Sequence, residues 1–236
     1  MLKQFFILSL LIPCMGYANE IKESRALVVA SQEAIISSEL AARVAEVLIE
    51  ETQSFKNGDL LINFDCRLYE AQEDVVAANM NSALIKYKSD QQMLQMRSIG
   101  KYELELSKSE HEKAVSEHLI AKLNLERCKI YAPFDGAVIE LFTNPYETVQ
   151  PQQELLRILK TDILELEMVV SSEWVSWLKV GHPVIVFIEE INEEFKAIVS
   201  GIGANVDPVS QTIQLRATID NNNESLLPGM SGRVTF

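Results

Sequence analysis

The chain has 236 residues, of which 47% are hydrophobic and 23% charged, and this composition predicts folded domains rather than disorder. Its formal net charge of −13 argues against nucleic acid and anionic membrane surfaces as partners, because both bind clustered lysine and arginine. We therefore expect one to three small folded domains with an acidic surface.

The N-terminus has the pattern of a cleavable export signal. Lys3 precedes an apolar run at residues 5–12, and small residues lead to a cleavage position after Ala18. The run is shorter than the about 20 residues that a membrane-spanning helix needs. A lipoprotein anchored through Cys14 is the alternative, which Pro13 disfavours because a small residue is expected there. We therefore expect export of the mature chain to an oxidising compartment.

Composition changes twice after this signal. Residues 25–65 are rich in Val, Ile and Leu with turn formers at residues 57–59, which predicts short strands. Residues 66–128 contain no proline and a single glycine, Gly100, which predicts helix. One helix of this length is unusual in a globular protein. Gly100 is therefore the predicted reversal between two antiparallel helices of about 30 residues, each roughly 45 Å long.

The segments on either side of the helices resemble one another. A shift of 94 positions aligns residues 42–58 with residues 136–152 without a gap. The alignment continues, after one inserted residue, with the pairs Leu60–Leu155 and Leu61–Leu156. This predicts two copies of one small β unit. Because neither copy can bury its own apolar face, we expect them to close one β sandwich with the helical hairpin inserted between them.

A turn marks the return from helix to strand. Pro133 cannot continue a helix, and Asp135 and Gly136 are turn formers. We interpret these three residues as architectural, because the turn directs the chain back into the half-built sandwich.

Residues 163–236 contain five strand-like runs separated by turns with glycine and proline. A short capped helix is predicted at residues 171–178, with Ser171 or Ser172 as its N-cap. An antiparallel barrel with one covering helix accounts for this pattern.

Several segments, in this order along the chain, resemble signatures of the periplasmic adaptor proteins, also called membrane fusion proteins, of tripartite efflux and secretion pumps. They are ARVAEVLIEETQSFKNGDLLINFD, LERCKIYAPFDGAVIEL, VQPQQELLRILKTDILELEMVV, and VDPVSQTIQLRAT with LLPGMSGRV. The resemblance implies an α+β, mainly β fold, in which an antiparallel α-helical hairpin interrupts a split lipoyl-like β sandwich and a small antiparallel β-barrel follows. The expected segments are a signal peptide at 1–18, an N-terminal strand and the first lipoyl-like half at 19–65, the hairpin at 66–128, the second lipoyl-like half at 129–162, and the barrel at 163–236.

The resemblance also implies a function. A periplasmic adaptor is not an enzyme: it bridges an inner-membrane transporter, of resistance-nodulation-division or ABC type, and an outer-membrane channel, with several copies in a ring. The expected location is the periplasm, at the inner membrane through the transporter. Many adaptors continue beyond the barrel into a membrane-proximal domain, whereas this chain stops at Phe236. The resemblance therefore supports channel contact through the hairpin more than transporter contact.

The predicted hairpin tip departs from the family's pattern. Adaptors that engage a channel often have an Arg, a Leu four residues later and a Ser seven further on. Counting back from Ser107 puts Gly100 at the Leu position and Met96 at the Arg position. The candidate contact region is therefore named only as a group: Arg97, Gly100, Leu104 and Ser107. The alternative is a solvated turn without a partner.

The histidines and methionines of this chain could in principle bind a metal, but their positions are better explained by structural roles. His111 and His118 are seven residues apart, about 10 Å along a helix, which is too far for one metal, and His182 lies in a predicted turn. Three methionines suit Cu(I), although helical methionine more often packs: Met80, Met93 and Met96. We predict no catalytic residue, no cofactor and no metal.

Two cysteines remain after removal of the signal. Cys66 and Cys128 bracket the predicted helices, and their midpoint, residue 97, lies three residues from Gly100. An antiparallel hairpin that turns there brings the two side by side at its base. Our hypothesis is a disulfide that staples the hairpin root to the sandwich, and the alternative is two free buried thiols.

Two other function classes stay open at this point. A lipoyl or biotin carrier shares the β unit but needs a lysine at a tight hairpin, where this chain has the helical insertion. A regulator of cell-wall hydrolases combines a coiled coil with a β domain that opens on a similar turn, but it does not explain the duplicated β unit before the helices.

Overall fold

The computed structural model describes residues 22–219 and 225–236. The predicted export signal, with Cys14, lies outside the described residues. The described chain falls into two compact units. Residues 30–164 form one unit, and residues 22–29 form the other together with the described residues after 164.

Two four-stranded antiparallel sheets build the unit of residues 30–164. The first sheet has the order β2 (Glu33–Ser37), β9 (Glu154–Lys160), β7 (Gly136–Leu141) and β4 (Ser54–Phe55). The second has the order β6 (Lys129–Tyr131), β5 (Leu60–Asp65), β3 (Ala42–Val47) and β8 (Thr148–Val149). Each sheet takes two strands from before the helices and two from after them. Neither half of the sequence can therefore form a sheet of this sandwich by itself.

The shift of 94 positions holds through the whole sandwich. It places β3 on β7 and β4 on β8 with identical bounds. It also places the buried residues of β5 on those of β9: Leu61 on Leu155, Ile62 on Leu156, and Phe64 on Ile158. The inserted residue in the sequence alignment is therefore wrong. The sequence alignment matched Leu60 and Leu61 to Leu155 and Leu156 because the residue types agree. The structural repeat instead preserves which positions are buried.

Backbone conformation repeats with the same shift. Thr52 has φ 67° and Tyr146 has φ 74°. The Thr52 N–H donates to the carbonyl of Val138 at 2.9 Å, and the Tyr146 N–H donates to that of Val44 at 2.8 Å. A second pair of left-handed positions follows the shift: Gly58 with φ 87° and Gln152 with φ 70°. The two halves therefore exchange equivalent hydrogen bonds, which supports the predicted duplication.

A pair of antiparallel helices connects the two halves. Helix α1 spans Arg67–Gln95 and helix α2 spans Lys101–Glu126. No residue of α1, all of which is described, is buried. Three residues of α2 are buried at a spacing of seven, and all are small: Ser107, Ala114 and Ala121. Small residues at the seam let the helices approach closely, but they bury little apolar surface.

The second unit is a closed six-stranded barrel. Its strands in order are β1 (Glu23–Ala30), β10 (Leu164–Ser171), β13 (Thr212–Ile219), β12 (Glu193–Asp207), β11 (Pro183–Ile188) and β14 (Ser231–Thr235). Strand β14 pairs with β1 and thereby closes the barrel. Along β11 and β12, inward residues are buried and alternate with exposed ones, as expected for strands with one face on a core. The predicted α+β, mainly β fold with an antiparallel barrel is confirmed.

Two details of the barrel differ from the sequence analysis. Strand β1 belongs to the barrel, whereas the sequence predicts an N-terminal strand before the first lipoyl-like half without indicating its partner. The covering helix is a 3-10 helix at Ser172–Ser176, capped by the Ser171 hydroxyl, which accepts a hydrogen bond from the Glu173 N–H at 3.4 Å. Within the described chain, none of the helices combines the length and the apolar character that a membrane span requires.

Candidate functional site

The turn after the second helix locks the two sandwich halves together. The Asn57 N–H donates to the Asp135 carboxylate at 2.7 Å, so the turn of one half holds the turn of the other. Gly136 opens β7 at a point where a Cβ would lie 2.1 Å from the carbonyl oxygen of Leu159. Only glycine therefore fits there without movement of the backbone. Pro133 stands in the turn between β6 and β7, whereas the sequence predicted a direct switch from helix to strand there; α2 already ends at Glu126 and β6 follows it, so Pro133 does not end the helix.

A disulfide stands at the root of the hairpin. Cys66 immediately precedes α1 and Cys128 follows α2, and the structure joins them with their Cα atoms 6.0 Å apart. Cys66 is 6% exposed and Cys128 is 3% exposed, and both belong to the sandwich core. The root of the hairpin is therefore tied to the core covalently and by packing.

Charged side chains surround this root. Two nitrogens of the Arg67 guanidinium donate to the Asp65 carboxylate at 2.9 Å each, and Arg43 donates to it at 3.2 Å. Hydrogen bonding to Arg67 is the main reason why the pKa of the Asp65 carboxyl falls from 3.8 to about 2. Asp65 ends strand β5 and Arg67 begins α1. The pair therefore links the end of the sandwich strand to the start of the hairpin.

The hairpin reverses at residues 96–100, which include the predicted reversal at Gly100. Arg97 adopts a left-handed conformation with φ 59°, and it is exposed. Gly100 is the N-cap of α2, and its N–H donates to the Glu103 carboxylate at 2.8 Å. Arg97 and Gly100 therefore form the tip itself, and both are accessible to a partner.

The other two members of the predicted contact region lie lower on α2. Leu104 is half-buried, and Ser107 is 1% exposed, with its hydroxyl donating to the Leu104 carbonyl at 3.1 Å. Ser107 belongs to the seam between the helices, so a partner cannot reach it while the helices are packed. We therefore leave Ser107 out of the proposed contact surface.

Two exposed apolar side chains at the tip were not identified as contact residues. Met96 is 68% exposed and Tyr102 is 79% exposed, one on each side of the reversal. Tyrosine is among the residues that most often carry the binding energy of protein interfaces, so Tyr102 is a candidate contact residue. The sequence could have indicated Tyr102 as a contact residue through its position, two residues after the only glycine of residues 66–128.

The histidines of the hairpin face the opposite helix. The His118 imidazole lies 2.6 Å from the Glu73 carboxylate, and the His111 ring stacks on Tyr87 with ring centroids 6.1 Å apart. Across the described ranges, no cluster of three or more His, Cys, Asp or Glu side chains could hold a metal ion. These histidines therefore belong to the helix pairing, together with the ion pair of Lys86 and Glu110 at 2.6 Å. His182 lies in the barrel, against Trp177.

Comparison with families of known proteins identifies the barrel. Residues 166–236 match the family described as CusB-like, beta-barrel domain. This match covers β10 to β14 and the 3-10 helix, but not the sandwich or the hairpin.

Solved structures extend the likeness to most of the chain. A MacA–MexA chimeric protein with the Pseudomonas aeruginosa MexA α-hairpin domain is 16% identical, covers 91% of this chain and 80% of its own, and has a TM-score of 0.79. The membrane fusion protein Spr0693 from Streptococcus pneumoniae is 14% identical, with coverages of 91% and 98% and a TM-score of 0.74. These values establish a shared fold. The predicted resemblance to membrane fusion proteins is therefore confirmed.

A sequence relative is found in Haemophilus influenzae. It is 25% identical over 210 residues, which are 88% of this chain. The chain spans 55% of the length of that relative.

Proposed function

We propose that this chain, which has the fold of the membrane fusion proteins, is a periplasmic adaptor subunit of a tripartite efflux or secretion system. In this role it performs no chemistry. It bridges an inner-membrane transporter, of resistance-nodulation-division or ABC type, and an outer-membrane channel, and several copies act together in a ring. The periplasmic location follows from the same role.

The hairpin carries this proposal, because it is fixed at one end and exposed at the other. At its root, the disulfide and the core residues around Cys66 and Cys128 leave little freedom of direction. At its tip, Met96 and Tyr102 present apolar surface beside the cation of Arg97. Such an element is suited to reach a partner at a distance from the sandwich.

The proposed contact surface therefore consists of Met96, Arg97, Gly100 and Tyr102, with Leu104 at its lower edge. Gly100 allows close approach of a partner's backbone, because beyond the Glu103 carboxylate no atom lies within 4 Å of a Cβ built there. Burial of the Tyr102 ring would supply most of the apolar contact.

A photo-crosslinking amino acid at position 102 tests the proposal in intact cells. We expect a crosslink to an outer-membrane channel protein, identified by mass spectrometry. The matched control is position 113, where the Lys113 side chain is 76% exposed. It lies about three turns further along the same side of α2, so it has similar access to solvent but stands away from the tip.

Two outcomes would contradict channel contact. Crosslinks from positions 102 and 113 with the same proteins would mean that the tip has no special role. Crosslinks from position 102 to a cell-wall hydrolase would favour the regulator class instead.

A further inference from the structure

An apolar groove of about 520 Å³ lies on the outer face of the barrel, along β11, β12 and β14. Pro183 pairs with Ile198, and Ile185 lies two residues along the same face of β11. Ile185 is 49% exposed and Ile198 is 56% exposed, while the intervening Val184 points into the core. The volume falls in the range of small-ligand sites, and these side chains make its floor apolar.

One end of the groove is aromatic. Phe236 lines the groove and also contacts Trp174 and Trp177, with ring centroids 5.0 and 6.2 Å away. The His182 ring stacks on Phe236 at 6.5 Å, and the Lys22 ammonium lies 4.1 Å from the Trp177 ring. These are the two tryptophans of the entire chain, so intrinsic fluorescence reports on this end of the groove.

The groove carries a positive charge at its edge. Lys196 is the one charged side chain among the described residues that line it. It pairs with Ile185, which pairs on its other side with Thr235, so an ammonium and a hydroxyl flank the apolar floor. The acidic neighbours Glu23 and Glu194 do not line the groove.

The charge of Lys196 favours a ligand with a negative charge. Acidic residues outnumber basic ones by 34 to 21 in the chain, yet the charged side chain that lines this groove is a lysine. A neutral or cationic ligand would leave the ammonium unpaired at the edge of a dry surface, which is unfavourable. A carboxylate would pair with it through a charge-assisted hydrogen bond.

We propose that this groove binds a fatty-acid anion, a ligand with one apolar chain and one carboxylate. The carboxylate lies at Lys196, and the chain runs over Ile185, Pro183 and Ile198 toward Phe236. This binding site is separate from the hairpin and does not depend on the adaptor role.

Quenching of tryptophan fluorescence by 11-bromoundecanoate tests the proposal on the purified mature chain. Bromine quenches a tryptophan only in contact, so a chain end that reaches Phe236 lowers the emission of Trp174 and Trp177. We expect saturable quenching with one ligand per chain. The matched probe with a trimethylammonium head on the same bromoundecyl chain is expected to bind at least about tenfold more weakly, because it lacks the charge-assisted contact.

Variants of Lys196 connect the quenching to the groove. Lys196→Met is expected to weaken 11-bromoundecanoate binding about tenfold, and Lys196→Arg to retain it, because arginine keeps the charge. Lys56→Met, an exposed lysine of the sandwich, is the control and is expected to change nothing. Three outcomes would overturn the proposal: equal binding of both probes, unchanged binding by Lys196→Met, or no saturable quenching. Absence of saturable quenching would indicate that the groove binds a protein partner instead.

Discussion

The sandwich and the hairpin belong to one compact unit, but they are held together by different means. The sandwich buries large side chains completely, such as Val44, Leu155 and Ile158 at 0% exposure. The hairpin buries only a serine and two alanines fully, and its helices are otherwise linked by half-buried side chains, the stacked rings of Tyr87 and His111, and polar pairs. Because burial of apolar surface dominates folding free energy, the sandwich carries the stability of this unit.

This difference indicates where change is tolerated. A hairpin that contributes little to folding can alter its exposed residues without loss of the fold, provided that its root is fixed. Function at the tip and stability in the sandwich are then separable. Four changes, in the sandwich and at the root of the hairpin, test this separation.

Removal of the disulfide gives the largest expected effect. Serine at both Cys66 and Cys128 opens a loop with a sequence separation of 62. The chain-entropy model then predicts that the free energy of unfolding falls by up to about 4 kcal/mol. Urea unfolding measures this loss, and far-UV circular dichroism is expected to retain the helical signal. The reduced wild-type chain is the control and should behave alike. Free thiols at both positions in the unreduced native protein would contradict the prediction.

A methyl group at Gly136 tests the sandwich alone. The Cβ of Gly136→Ala would lie 2.1 Å from the Leu159 carbonyl, so β7 and β9 must move apart. We expect a loss of about 3 kcal/mol in urea unfolding, as for an overpacked core. The matched control is Gly58→Ala, where nothing lies within 4 Å but φ is +87°. Its expected loss is about 1 kcal/mol, from backbone strain alone. Equal losses in the two variants would show that close packing at Gly136 is not the cause.

Gln152 allows a gain of stability at the position equivalent to Gly58. Its φ of 70° is strained for a side chain with a Cβ, so Gln152→Gly is expected to stabilise the chain by about 1 kcal/mol. The backbone N–H keeps its bond to the Ser38 carbonyl at 2.7 Å. Gly58→Gln is the reciprocal variant and should destabilise by a similar amount. A loss of stability in Gln152→Gly would indicate that the glutamine side chain makes the larger contribution.

Much of this architecture could be predicted from sequence because its signals are local or repeated. The helical block is visible in composition, the return turn in Pro133, Asp135 and Gly136, and the duplication in a gapless alignment. In the repeat, a single shift preserves burial and left-handed backbone positions, even where the residues differ, as Gly58 and Gln152 do.

The failures have physical causes as well. Strand β1 pairs with β14, about 200 residues later, and the alternation within a strand contains no information about its partner. Ser107 was assigned to a contact surface, but the seam of this hairpin consists of small and polar residues, so polarity does not separate its inner face from its outer one. Tyr102 was missed for the same reason, since apolar residues occur on both faces.

The smallest expected effect concerns the ion pair where the chain leaves the sandwich for the hairpin. The pKa of Asp65 is about 2 in the folded chain against an ordinary value of 3.8, so the pair stabilises the fold above pH 3.8 and this contribution is lost as pH falls through 2. The Arg67 side chain is 82% exposed, so the effect is small and weakens with salt. In Arg67→Met we expect the carboxyl of Asp65, followed by NMR, to titrate closer to 3.8, whereas Lys113→Met, which breaks an exposed pair within α2, leaves it unchanged. If Asp65 titrates alike in the wild type and Arg67→Met, the hairpin root is held by the disulfide and the packing of the core, without help from this ion pair.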